Sequence, residues 1–176
     1  WIRSRVGIVE RRMAEADKAS SDLGAIAAER ALQDAGVDRD EVDLVLCSTV
    51  SPDMIFPSTA CLISRALGIE HRVPAMDLAA ACSGFSYGLH MANALIRSGM
   101  HKTILLVAAE MLTRHVDWTD RATCVLFGDG AGAVLLEAKS VTKDGPGVLS
   151  THLHADGKLA DILYVDGAVG QPDKSG

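Results

Sequence analysis

Strands that alternate with helices and end in two adjacent strands place this 176-residue chain in the α/β class, as a mixed sheet between helices. Three observations carry that expectation. Short, mostly apolar runs of buried-strand type recur at DLVLCSTV (43–50), PAMDL (74–78) and KTILLVAAE (102–110). Helical patterns separate them, two of these closed by a glycine, Gly36 or Gly68. Apolar residues make up 48% of the chain but aromatics only 4%, so small aliphatic side chains fill closely packed layers.

The elements follow in order. Ser20-Ser21-Asp22 is expected to cap a helix whose apolar stripe runs Leu23, Ile26, Ala27, Ala31 and Ala35. After the strand at 43–50, the two prolines of SPDMIFPS (51–58) make a loop, and STACLISRALG (58–68) reads as a second helix. PAMDL (74–78) leads through an alanine-rich turn at Cys82 into a helix over about 83–98. The strand at 102–110 follows, then AGAVLLEA (131–138) and GVLSTHLH (147–154) as two strands joined around Lys143-Asp144-Gly145-Pro146-Gly147. The order reads as β-α-β-α-β-α-β-β, with no internal repeat and no low-complexity segment.

Charge and cysteine usage narrow the class. A net charge of −6 argues against a nucleic-acid surface, and the local cluster Arg3, Arg5, Arg11, Arg12 reads on charge pattern as a solvated edge. Cys47, Cys61, Cys82 and Cys124 form no CxxC pair and no histidine lies at ligand spacing, so neither a metal site nor a disulfide framework is expected. A reducing, cytoplasmic setting fits. No apolar run approaches the ~20 residues of a membrane span, and the opening WIRSRVGI reads as protein interior, so a fragment is expected.

Cys82 stands apart from the other three cysteines, which read as small buried hydrophobes. Ala79, Ala80, Ala81, Ser83 and Gly84 around it are all small, as a sharp strand-to-helix turn requires. Unpaired N–H groups at a helix N-terminus favour a thiolate there and can hold the oxyanion of a thioester under attack. The sequence does not supply a base. His90 lies eight positions on, about 12 Å along a regular helix, within a polar stripe of Ser86, His90, Asn93 and Arg97 opposite Phe85, Leu89, Ala92 and Ile96. His152 and His154 alternate along an expected strand and share a face; spacing does not decide between structure and cleft.

DLAAACSGFSYGL (77–89) followed by TDRATCVLFGDGAGAVLL (119–136) resembles β-ketoacyl-acyl-carrier-protein synthase III, the initiating condensing enzyme of bacterial fatty-acid synthesis. WIRSRVGIVERR (1–12), SPDMIFPSTA (51–60) and STHLHADG (150–157) support the resemblance in the family's order. It implies a thiolase-like fold of two similar halves in α-β-α-β-α layers. Residues 1–145 then correspond to an N-terminal half without its first strand, and 146–176 to last strands and the start of a connection.

The resemblance also implies roles. Cys82 matches the cysteine that takes an acyl group from acetyl-CoA or another short acyl-CoA. A carbanion from decarboxylated malonyl-acyl-carrier protein then attacks that thioester, with acyl-CoA as substrate and no further cofactor. Trp1 and Arg121 match the pair that sandwiches the adenine of coenzyme A, and Arg5 a further coenzyme A contact. Phe56 matches the residue that closes the partner's acyl pocket across a homodimer interface, where a bulky ring implies a short primer; Leu112 and Phe127 border the acyl site. FGDGAGA (127–133) does not fit GxGxxG and reads as a close-packed turn.

The family's other two catalytic residues, a histidine and an asparagine, sit in motifs of the kind HQAN and GNT, and neither motif occurs in this sequence. This chain alone is therefore expected not to complete condensation. Two other readings compete. One is a relative that makes secondary metabolites or joins longer acyl chains, to which a smaller residue at position 56 would point. The other is a non-catalytic partner subunit, against which the full AAACSG setting of Cys82 speaks.

Overall fold

The computed structural model describes residues 1–140, 145 and 147–165. Four strands, β1 (Leu44–Ser48), β2 (Ala75–Leu78), β3 (Thr103–Met111) and β4 (Asp129–Glu137), form one sheet in the order β2-β1-β3-β4. β1 is parallel to both β2 and β3, whereas β3 and β4 run antiparallel from Thr103↔Glu137 to Met111↔Asp129. The helices are α1 (Ile2–Val6), α2 (Ser20–Ala35), α3 (Thr59–Ala66) and α4 (Gly84–Arg97).

Burial on both faces explains why the central strands are uniformly apolar rather than alternating. Successive side chains of β1 point to opposite faces. Val45 and Cys47, with Leu105 and Val107 of β3, pack under Ala28 and Leu32 of α2 and Ile63 of α3. Leu44 and Leu46, with Ile104 and Leu106, pack under α4 around Ala92. The sheet is thus a mixed one between helices, as expected.

α4 lies close because its inward face is small. Gly84, Gly88 and Ala92 are its buried residues, one turn apart. A Cβ at Gly88 would come within 2.4 Å of Leu106 Cδ1, so the helix backbone sits where a side chain would otherwise be. Leu89, Ala92 and Ile96 face inward as expected, but Phe85 is 36% exposed.

Three details differ from the sequence reading. The buried stripe of α2 is Ser20, Gly24, Ala28 and Leu32, while Ile26 is exposed and Ala27 and Ala31 are only half-buried. Gly24 wins the central position because a Cβ there would reach within 2.7 Å of Ile63 Cδ1. Ser20 and Ser21 do not cap the helix; the cap is Ala19, whose N–H donates to Asp22, and both serines bond the loop after β1. The strand expected at 147–154 does not form: the described residues there are irregular. Thr151 Oγ1 lies 2.6 Å from His90 Nδ1 of α4, and among the described residues this segment pairs with no strand. Residues 141–144, 146 and 166–176, within the expected connecting segments, lie outside the described residues.

Candidate active site

The carboxyl ends of β1, β2 and β3, together with the start of antiparallel β4, meet at one end of the sheet. In open α/β sheets that end is where ligands bind. The loop carrying Phe56 follows β1, the turn carrying Cys82 follows β2, and Leu112 follows β3 directly. The segment holding Arg121 and Phe127 leads into β4 at the same end. Topology alone therefore gathers the sequence-predicted residues into one region.

Cys82 sits on a tight turn. Ala81 has φ +44°, the single non-glycine residue with positive φ among those described, a conformation that costs an L-residue about 1–2 kcal/mol. The Ser83 N–H donates to Ala80 C=O at 3.1 Å, and the Gly84 N–H donates to Ala81 C=O. Cys82 thus lies in a 3-10 turn just ahead of α4, with its side chain exposed. Backbone strain persists only where its surroundings over-determine it. Here they do: a Cβ on Gly84 would lie 1.8 Å from Ser48 Oγ, so the turn is pinned against the end of β1.

The other cysteines lack that setting. Cys47 is fully buried in β1, and burial, with the charges of Asp77, Glu110 and Asp53 adding to it, pushes its thiol far above the ordinary range. Cys61 is exposed on α3 rather than packed inside, since it lies beside β2, the edge strand among the described residues, with its thiol 3.8 Å from Ala75 C=O. Cys124 is half-buried. His90 is a surface residue, as expected, and His152 and His154 are exposed on an irregular segment.

Trp1 and Arg121 come together. They line an open cavity of about 630 Å³ with Ile2, Arg3, Ile8, Val9 and Arg11. They also line a neighbouring one of about 420 Å³ with Ile2, Trp118, Cys124 and Val125. Trp1 is 80% exposed, so its ring is presented rather than packed. Arg5 is on α1 but lines neither opening, and neither is lined by Cys82.

Phe56 is 81% exposed at the tip of its loop, beside exposed Met54 and Ile55. Leu112 and Phe127 are half-buried. Of the glycines in FGDGAGA, only Gly128 is crowded: a Cβ there would meet Arg12 C=O at 3.3 Å. Gly130 and Gly132 have open space and belong to β4, whose outer edge is unpaired among the described residues, so the expected close-packed turn is confined to Gly128.

Three carboxylates that the sequence reading passed over hold this end together. Asp129 accepts from the Ala14 N–H at 2.8 Å, the Thr113 N–H at 2.9 Å and the Thr113 hydroxyl at 2.7 Å. Burial alone would raise its carboxyl, but those donors and the nearby Arg114 charge hold it below the usual carboxylate range. Asp77 accepts from the N–H groups of Thr59 and Ala60 at the start of α3. Glu110 gathers donors from residues 49–51. The available signal was an acid inside an otherwise apolar strand run, as in PAMDL and KTILLVAAE, because buried carboxylates are rare unless partnered.

Residues 76–157 match the family described as 3-oxoacyl-[acyl-carrier-protein (ACP)] synthase III. The β-ketoacyl-[acyl-carrier-protein] synthase III of Rhodospirillum rubrum is 53% identical over 169 residues, covering 95% of this chain and 52% of that protein. The enzyme of the same name from Xanthomonas axonopodis pv. citri is 56% identical, covering 93% of this chain and 49% of that protein. The crystal structure of 3-oxoacyl-[acyl-carrier-protein] synthase III from Aquifex aeolicus superposes with a TM-score of 0.87 at 43% identity, over 94% of this chain and 52% of that one. The mixed sheet between helices is accordingly a thiolase-like half, and the chain spans about half the length of the curated relatives it matches. This chain belongs to the β-ketoacyl-acyl-carrier-protein synthase III family.

Proposed function

We propose that this chain carries the acyl-accepting part of a β-ketoacyl-acyl-carrier-protein synthase III reaction in fatty-acid synthesis, with Cys82 as nucleophile. The observation that carries the proposal is an exposed cysteine on a strained turn at the carboxyl end of the sheet, within a chain matched to this family over nearly all its length. The Cys82 thiolate attacks the carbonyl carbon of a short acyl-CoA, a new C–S bond forms, and coenzyme A leaves as a thiolate that takes up a proton. A carbanion from malonyl-acyl-carrier protein, released with CO2, then attacks the new thioester and frees Cys82. The histidine and asparagine motifs that assist this second step are not in the sequence, so the first step is the one assigned to these residues.

Trp1 and Arg121 hold the adenine of coenzyme A by stacking, which their shared openings support. Arg5 adds a coenzyme A contact from α1. Phe56 closes the acyl pocket of a second copy in a homodimer, a role its exposure supports, and Leu112 and Phe127 line the acyl site. Four free cysteines support a reducing, cytoplasmic setting. No described helix is long and apolar enough to cross a membrane.

The test is acyl-transfer kinetics on Trp1→Ala and Arg121→Ala. Each is expected to raise KM for acetyl-CoA by about tenfold, the loss of a stacking contact of ~1.4 kcal/mol. A KM unchanged in both would overturn the assignment of these two residues.

A further inference from the structure

The loop between β1 and α3 is anchored at both ends and at Asp53, whose carboxylate accepts from the Ser21 N–H at 2.9 Å and the Ser21 hydroxyl at 2.5 Å, and its exposed tip is residues 54–56. At its far end Asp77 holds the first N–H groups of α3. At its near end the Glu110 carboxylate accepts from the Val50 N–H at 2.9 Å and the Ser51 N–H at 3.1 Å, from the Ser51 hydroxyl at 2.5 Å, and more distantly from the Thr49 hydroxyl. The buried Ser51 hydroxyl in turn accepts from the Met111 N–H at 2.8 Å, and Ser51 C=O accepts from the Ser20 hydroxyl. One carboxylate on β3 therefore fixes the base of the loop that presents Phe56 and, through Ser51, the residue immediately before Leu112.

We infer that Glu110 is a positioning residue for acyl-chain selectivity, acting through Phe56. The inference rests on the function proposed above, in which Phe56 closes an acyl pocket. A pocket stop sets chain length only if its base does not yield, and because residues 54–56 are exposed their position depends on the anchors beneath them. Hydrogen bonds to an ionised carboxylate are the strong kind, so several on one group make a stiff anchor. In Glu110→Gln one oxygen becomes an NH2 donor facing donors at Val50 or Ser51, and at least one anchor bond is replaced by repulsion. The loop then yields, and longer acyl groups enter.

The experiment measures kcat/KM for acylation of Cys82 by acetyl-CoA and by hexanoyl-CoA, using the polypeptide purified as its host makes it. The expected result is that Glu110→Gln shifts the ratio toward hexanoyl-CoA by about tenfold, the scale of methylene discrimination in an apolar pocket. In a Phe56→Ala background the same change is expected to add less than about threefold, because the residue through which it acts is gone. A shift below about threefold in the single variant overturns the inference. So does a shift of full size in the Phe56→Ala background. Should Glu110→Gln fail to fold, Ser51→Ala removes the hydroxyl that links Glu110 to the Met111 N–H while leaving the two backbone N–H bonds; it should shift the ratio in the same direction by a smaller factor that again vanishes in the Phe56→Ala background, and no shift, or one that persists there, overturns the inference. A parent protein that no acyl-CoA acylates would overturn the proposed function and this inference with it; a parent that is acylated while the ratios stay fixed overturns this inference alone.

Discussion

Replacing Gly84 by alanine probes the contact that holds the cysteine turn in place. Gly84 has ordinary helical angles, φ −57° and ψ −39°, so the change relieves no backbone strain. Alanine gains at most ~1 kcal/mol of helix propensity there. Against that, the new Cβ would lie 1.8 Å from Ser48 Oγ and 3.1 Å from Ser48 Cβ. Rotating the hydroxyl removes only the first clash. Ser48 itself cannot retreat, since β1 is hydrogen-bonded between β2 and β3. α4 must lift from the sheet, at the ~1–3 kcal/mol typical of overpacking. For a chain of this size each kcal/mol lowers Tm by about 2–4 °C, so a fall of roughly 2–12 °C is expected, reduced by whatever the propensity gain offsets. Cys82 lies two residues before Gly84, and a displacement near 1 Å lowers its acylation rate by up to ~100-fold. The assay pairs thermal unfolding with mass-detected acylation, and repeats the change in a Ser48→Gly background, where both Ser48 Oγ and Cβ are gone and Gly84→Ala should cost less than half of what it costs in the parent. A Gly84→Ala protein as stable as its parent, or a cost undiminished in the Ser48→Gly background, would refute the packing argument.

Other outcomes follow from the same geometry. Ala81→Gly should be tolerated because glycine adopts φ +44° freely, whereas Ala81→Val should lose ~1–3 kcal/mol in denaturant unfolding. An alkylating reagent at neutral pH should label exposed Cys82 and Cys61 in the folded protein and leave Cys47 unlabelled until unfolding, read by peptide mass mapping. Because the Cys47 thiol is raised in the folded state, its contribution to stability is complete below the ordinary value near 9 and is lost as pH climbs beyond it; Cys47→Ala should flatten that alkaline decline. The Asp129 carboxyl is lowered by folding, so its contribution is present above the ordinary value of 3.8 and lost as pH falls below it. Asp129→Asn should therefore lose ~1–2 kcal/mol at pH 7, and the gap to the parent should close in acid unfolding.

Element types were legible where one local signal sufficed. The apolar runs of β1 and β3 gave their positions, and Gly36 marked the end of α2. The small residues around Cys82 gave its turn, which the positive φ of Ala81 bears out. What stayed hidden depends on partners distant in sequence. Gly24 is buried in α2 because Ile63 needs its space, and no periodicity in one helix reports on another. GVLSTHLH has strand composition, but a strand requires a neighbouring ladder, and among the described residues this segment pairs with no strand. The anchoring roles of Glu110, Asp77 and Asp129 each join residues 15 or more positions apart, and only the fold brings those donors to one carboxylate. The pairing of Trp1 with Arg121 came from the resemblance; composition alone reads both as solvated.

The most direct test of the account is an intact-mass spectrum of the polypeptide after exposure to acetyl-CoA, beside the Cys82→Ser variant. The account predicts a gain of one acetyl group that depends on Cys82. A parent protein that stays unmodified, or a Cys82→Ser variant acetylated to the same extent, would contradict it.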